Sequence, residues 1–176
     1  WDHALSARYD LPWRAAQTPE APALETPAGA WTFADRFERA RRGAAYVQAA
    51  APQDEAPIGL LVDGDAEFAA WFHAIVLAGR TVLPLNLRLT THELAQQLAD
   101  AQVRWLLGRA GDARLDDLAA QVPGLQAEVA PRFDALPVPR DTLPGEGAGA
   151  DIRNTLAVLF TSGTAGRAKG ARLSRA

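Results

Sequence analysis

The hydrophobic pattern of this chain changes period again and again, and that switching constrains its fold more than any other feature. Helical spacing appears in Phe33, Phe37, Ala40, Ala44 and Val47, which follow Thr32, a residue suited to cap a helix. The pattern then becomes a continuous apolar run, Pro57-Ile58-Gly59-Leu60-Leu61-Val62, which suits a strand buried on both faces. Asp63-Gly64-Asp65 turns the chain into a second helical stretch bearing Phe68, Trp71, Phe72, Ile75 and Val76, and Gly79 ends it. Residues 81–85 resume extended structure. Thr90-Thr91-His92-Glu93 has the spacing of a capping box and opens a helix with Leu94, Leu98 and Ala101 inward. A strand over 103–107, a short helix over 115–120, a strand over 127–130 and the buried-type strand Leu156-Ala157-Val158-Leu159-Phe160 complete the series. Before all of these, residues 4–16 read as a short amphipathic helix, and 21–31 as two strands around Pro27-Ala28-Gly29. Residues 137–150 are rich in Pro and Gly and read as a surface loop. Strand alternating with helix predicts an α/β domain, layered αβα, with a largely parallel sheet. In such sheets ligands collect at the carboxyl ends of the strands.

Composition removes several classes of function. The chain has 176 residues, 48% hydrophobic and 22% charged, which is globular rather than disordered. It holds no cysteine, so disulfides, zinc thiolates and thiol nucleophiles are excluded. Net charge is -3 and the pI about 5.6, so no global basic field draws in nucleic acid. No apolar run reaches the roughly eighteen residues of a membrane helix, and no secretory signal opens the chain, so a cytoplasmic location is expected. Without methionine and starting at Trp1, the chain is expected to be a fragment of a longer protein.

Most polar candidates have bland explanations. Arg36, Arg39, Arg41 and Arg42, with Asp35 and Glu38, read as the solvated face of a helix. Asp63 and Asp65 suit a turn and helix cap better than a metal or acid–base pair. His73 fits the core edge, His92 an exposed first helical turn, and Trp71 and Phe72 the core. No metal ligands are assigned.

One segment stands apart: Thr161-Ser162-Gly163-Thr164-Ala165-Gly166-Arg167-Ala168-Lys169-Gly170. Its glycines allow positive φ and let backbone N–H groups converge, its hydroxyls add donors, and Lys169 adds a full charge. Lys169 is also the one lysine in the chain, every other Lys or Arg position being arginine. After a buried strand, this combination describes a polyphosphate cradle, in which each charge-assisted hydrogen bond contributes about 1.5–3 kcal/mol. The competing explanation is a surface turn of small residues. The segment is not a Walker-type P-loop, because Lys169 follows Ala168 rather than Gly and precedes Gly170 rather than Ser or Thr.

The segment resembles the phosphate-loop signature of the adenylate-forming (AMP-binding) superfamily, Thr/Ser-Ser-Gly-Thr-Thr-Gly-x-Pro-Lys-Gly. Eight of ten positions agree, the free one included. Trp31-Thr32-Phe33-Ala34, Glu67-Phe68, Leu77-Ala78-Gly79, Pro84-Leu85-Asn86 and Leu89-Thr90 extend the resemblance upstream in the family's order. Thr91-His92-Glu93-Leu94 and Gln97-Leu98-Ala99-Asp100 are similar to the 2-succinylbenzoate–CoA ligases of menaquinone synthesis.

The resemblance implies that residues 1–176 are the N-terminal portion of the large domain of an ATP-dependent acid–thiol ligase, ending just after the phosphate loop at 161–170. It implies ATP, Mg²⁺ and coenzyme A as cofactor and co-substrates, and a small carboxylic acid as substrate. Fatty-acid–CoA ligases and a non-catalytic nucleotide-binding paralogue are the alternatives. By the same resemblance Lys169 is catalytic, and Thr161, Ser162, Gly163, Thr164, Ala165, Gly166 and Lys169 bind the nucleotide. Three departures stand out: Ala165 for threonine, Ala168 for proline, and Arg175 where many members carry histidine.

Overall fold

The computed structural model describes residues 11–27, 29–63, 66–140, 155–161 and 169–174. Helix α1 (Leu11–Gln17) leads into the hairpin β1 (Pro22–Thr26) and β2 (Gly29–Thr32), which pair antiparallel as the sequence predicts. There follow α2 (Phe33–Ala50), β3 (Ile58–Leu61), α3 (Ala66–Leu77), β4 (Val82–Pro84), α4 (Thr91–Asp100), β5 (Trp105–Gly108), α5 (Arg114–Gln121) and β6 (Gln126–Val129). A 3₁₀ turn (Phe133–Ala135), β7 (Thr155–Thr161) and β8 (Lys169–Ser174) complete the order.

The main sheet has six strands in the order β6-β5-β3-β4-β7-β8. All neighbouring pairs are parallel except β7 and β8. β3 is central because its sequence can be buried on both faces, and Ile58, Gly59, Leu60 and Leu61 are all buried. Pleating sends alternate residues to opposite sides. Ile58 and Leu60 join one apolar cluster with Ala44 and Val47 of α2 and Trp71 and Ile75 of α3. Leu61 joins the other with Leu94 and Leu98 of α4 and Leu115 and Leu118 of α5. The crossovers β3-α3-β4 and β4-α4-β5 move in opposite directions along the sheet. Their helices therefore fall on opposite faces, as right-handed connections demand.

Helix ends follow local chemistry. Thr32 and Thr90 each close a capping box, with Asp35 and Glu93 returning a carboxylate to the cap N–H at 2.9 and 2.8 Å. Gly79 takes φ 78° at the end of α3, where the Arg80 N–H reaches Ile75 O and the Gly79 N–H reaches Val76 O.

The α2 arginines differ from the solvated face expected of them. Arg36 is half-buried and donates to Ala23 O at 3.3 Å, Arg42 donates to Leu136 O at 3.0 Å, and Arg39 lies 5.7 Å above the Trp31 ring. Long guanidinium stems reach over the helix side and tie the β1–β2 hairpin and the 136 segment to α2. No helix among the described residues is long and apolar enough to cross a membrane.

Candidate functional site

Five parallel strands give the sheet one common carboxyl edge. β3 leaves it toward Asp63, β4 toward Asn86, β5 toward Arg109 and β7 through Thr161. Val82 of β4 pairs with Ala157 of β7, so the segment after Pro84 and the end of β7 leave the sheet side by side. The sheet also reverses its winding here, since β4 and β5 flank β3 on opposite sides. Such a switch point opens a crevice above the strand ends, the usual ligand position in open α/β sheets.

The Gly-, Ser- and Thr-rich segment begins at this edge. It was expected to run as one loop over 161–170, but its two ends are strand. Thr161 is the last residue of β7, Lys169 the first of β8, and the two are paired across the antiparallel hairpin, as are Phe160 and Gly170. The hairpin thus holds the backbone of Thr161 and Lys169 at its mouth. Ser162, Gly163, Thr164, Ala165, Gly166 and Ala168 lie outside the described residues, as does Arg175.

At the same carboxyl edge, a connected set of charges joins the ends of β3, β4 and β5. Asp63 Oδ1 accepts from Arg109 Nη1 at 3.0 Å, and Arg109 Nε lies 3.6 Å from Asp112 Oδ2. Asp112 faces Arg114 through two bonds, from Nε at 2.8 Å and from Nη2 at 2.6 Å. Arg114 Nη1 donates onward to Leu87 O and Leu89 O, both at 3.1 Å. The Asp112 side chain is only 4% exposed, and the Arg114 guanidinium bonded to it draws its pKa down to about 2. The Asp63–Arg109 pair is half-exposed and contributes little, about 0–1 kcal/mol. Sequence reasoning passed over Arg109, Asp112 and Arg114; the signal was three charges in the six residues just after a buried apolar strand.

The other candidates disperse. Asp63 serves the ion pair just described, while Asp65 lies outside the described residues. His73 lies mostly buried on α3 with its ring edge-on to Phe72, and burial lowers its pKa to about 4, with the Arg36 charge adding to the shift. His92 is exposed, its ring nitrogen 2.9 Å from Gln96 Nε2. Trp71 is fully buried and Phe72 packs beside it, as expected of core. An open cavity of about 770 Å³ lies against Val158, Phe160, Gly170 and Arg172 of the hairpin, and its other walls, from Asp54 to Pro57 and from Asp100 to Arg104, precede the amino ends of β3 and β5.

A family model described as AMP-binding enzyme matches residues 11–176. The 2-succinylbenzoate–CoA ligase of Geobacillus kaustophilus is 29% identical over 161 residues, covering 91% of this chain. This chain spans 31% of that relative's length. Among solved structures, the O-succinylbenzoate coenzyme A synthetase of Bacillus subtilis in complex with AMP superposes with TM-score 0.77 at 27% identity, over 93% of this chain and 41% of that one. ATP-bound MatB of Rhodopseudomonas palustris gives TM-score 0.78 at 28% identity, over 97% of this chain and 34% of that one.

Proposed function

The chain belongs to the AMP-binding enzyme family, and from that premise we propose that it is the N-terminal part of an ATP-dependent acid–thiol ligase acting in the cytoplasm. In the first step a carboxylate oxygen of the acid attacks the α-phosphorus of ATP. The bond from that phosphorus to the bridging oxygen of the β-phosphate breaks, and pyrophosphate leaves with the bond's electron pair. In the second step a thiol, that of coenzyme A, attacks the acyl carbon, loses its proton and expels AMP. The thiol comes from the substrate, in keeping with a chain that has no cysteine.

The observation that carries the proposal is the pairing of Thr161 with Lys169 at the carboxyl edge of the sheet. Strand pairing fixes both ends of a segment whose residue types suit polyphosphate. Thr161, Ser162 and Thr164 offer hydroxyls, Gly163, Ala165 and Gly166 offer backbone N–H groups, and Lys169 offers its ammonium to the β- and γ-phosphates as they depart. Mg²⁺ enters the proposal as the counter-ion of ATP, sharing the charge of the phosphates.

For the acid, 2-succinylbenzoate in menaquinone synthesis is favoured, supported by the named activities of the Geobacillus and Bacillus relatives. Ala165 and Ala168 favour a second reading, a paralogue that binds nucleotide without turnover, because they remove one hydroxyl and one rigid residue from the loop. The test is pyrophosphate exchange in the full-length protein. Lys169→Ala should slow it by about a hundredfold, the scale of losing one transition-state donor, with little change in thermal stability. Unchanged exchange in that variant removes Lys169 from the chemistry. A wild-type protein that binds ATP but exchanges no pyrophosphate with any acid supports the paralogue instead.

A further inference from the structure

The usual determinants of strand register are missing from β8. Its residues do not alternate: Gly170, Ala171, Arg172 and Leu173 are all exposed, so no buried face selects one pairing. No tight turn selects it, because Thr161 and Lys169 are joined through residues 162–168, a longer connection than the two-residue turns that dictate a hairpin's register. β8 lies at the sheet edge, with β7 as its one neighbour among the described residues. Nor does the far end of the hairpin carry its pairing to the mouth, since the register already shifts between Thr155 and Ala157.

One contact does discriminate between pairings. Phe160 stands directly opposite Gly170, next to the pair of Thr161 with Lys169. A Cβ on Gly170 would lie 3.6 Å from Phe160 Cζ, 3.7 Å from Phe160 Cε1 and 3.2 Å from Val158 Cγ1. The outer edge of the ring and the valine therefore occupy the space over the glycine. Val158 is buried in the α4–α5 cluster and Phe160 packs against it, so neither swings aside freely. Gly170 is the one residue of β8 without a side chain. Directly opposed residues share a face, so any slip sets a side chain against the ring: Ala171 or Lys169 for one residue, Arg172 for two. Each residue of slip also carries Lys169 about 3.4 Å along the strand.

We propose that Phe160, by lying over Gly170, sets the register of the β7–β8 hairpin and is thereby a positioning residue for Lys169; the role toward Lys169 rests on the adenylation reading above. Aromatic cover of a cross-strand glycine is a device by which sheets pin register. The pairing of Thr161 with Lys169 then follows from the pair beside it. The contact belongs to the far end of the ring. A leucine at 160 fills the cluster but has no ε or ζ carbons, so it should lose the register while keeping the packing.

The test uses the full-length protein with Phe160→Leu, Phe160→Tyr and, as a control in the same apolar cluster, Val103→Ala. Register is read by cysteine pairs on the other, exposed face of the hairpin. Leu159→Cys with Ala171→Cys reports the native pairing, and Leu159→Cys with Leu173→Cys a slip of two residues. Directly opposed Cα atoms lie within disulfide range, whereas diagonal ones, about 7–8 Å apart, do not. After mild oxidation the linked peptides are quantified by mass spectrometry, beside thermal midpoints and acid-dependent pyrophosphate exchange. In Phe160→Leu the slipped crosslink should rise about fivefold relative to the native one, the scale of losing one cross-strand pair. Exchange should fall by about twofold or more as the in-register fraction drops. Phe160→Tyr keeps the ring and should match wild type in both. Val103→Ala should lower the thermal midpoint and leave the crosslink ratio unmoved. An unmoved ratio in Phe160→Leu, or an equal rise in Val103→Ala, would overturn the proposal. Should Phe160→Leu fail to fold, Gly170→Val sets a branched side chain against the ring, and a wild-type ratio in that variant overturns it just as well. A raised ratio with unchanged exchange refutes the role toward Lys169. A wild-type protein without acid-dependent exchange refutes the adenylation reading, while the crosslink ratio still decides the register.

Discussion

His73 shows how one side chain couples this fold to pH. Burial beside Phe72, with Arg36 adding its charge, lowers its folded-state pKa to about 4, while the unfolded chain keeps a value near 6.5. Between those two values the unfolded state binds the proton and the folded state does not. Stability is therefore whole above about pH 6.5 and is lost as pH falls toward 4, by at most ~3 kcal/mol for a shift of this size. Urea unfolding at a series of pH values should show His73→Gln losing less stability than wild type across that window. Parallel curves for the two proteins would mean that His73 is hydrated in both states. Lys169 is the residue-scale case that sequence alone exposes: in a chain that otherwise uses arginine throughout, the lone lysine falls at the hairpin mouth.

Elements meet where side chains are small. A Cβ on Gly43 of α2 would stand 2.7 Å from Ala74 Cβ of α3 and 2.9 Å from Phe133 Cε1. Alanine gains about 1 kcal/mol of helix propensity over glycine, but overpacking of this kind costs about 1–3 kcal/mol. The clash involves a Cβ on a packed helix, which cannot swing away, so Gly43→Ala should lower the denaturation midpoint despite the better helix former. A raised midpoint would show that α2 and α3 slide apart at no cost. At the caps, Thr90→Ala removes the bond to the Glu93 N–H and should cost about 1 kcal/mol, read by the same denaturation curves.

Most elements could be read in advance because their burial is written in side chains. Ile58 to Leu61 is apolar throughout because both faces are covered, and Thr90 with Glu93 announces α4. β8 was not legible. Gly170, Ala171, Arg172 and Leu173 are all exposed, so neither alternation nor a buried run marks them, and pairing with β7 alone makes them a strand. The 3₁₀ turn was missed for a related reason. Phe133 is buried by tertiary contact with Trp71, 4.6 Å between ring centroids, and nothing local signals it. The spacing of Arg109, Asp112 and Arg114 could mark them, but their partners Asp63, Leu87 O and Leu89 O come from segments far apart in sequence, which no spacing rule reports.

At the scale of the whole molecule, the two apolar layers cover β5, β3 and β4 and reach β7 at Ala157 and Val158, while the rest of the described hairpin is less covered. Leu159 and Leu173 stay 37% and 44% exposed there. The chain spans 31% of the length of the Geobacillus relative. Residues 1–176 alone are therefore expected to form no acyl-CoA, and turnover by this piece in a coenzyme A ligation assay would show that the site is already complete. The most direct test of the whole account is carboxylate-dependent exchange of labelled pyrophosphate into ATP by the full-length protein. The account predicts exchange that needs an acid, proceeds without coenzyme A and falls with Lys169→Ala. Acid-independent release of ADP and phosphate, with no exchange of pyrophosphate, would contradict it.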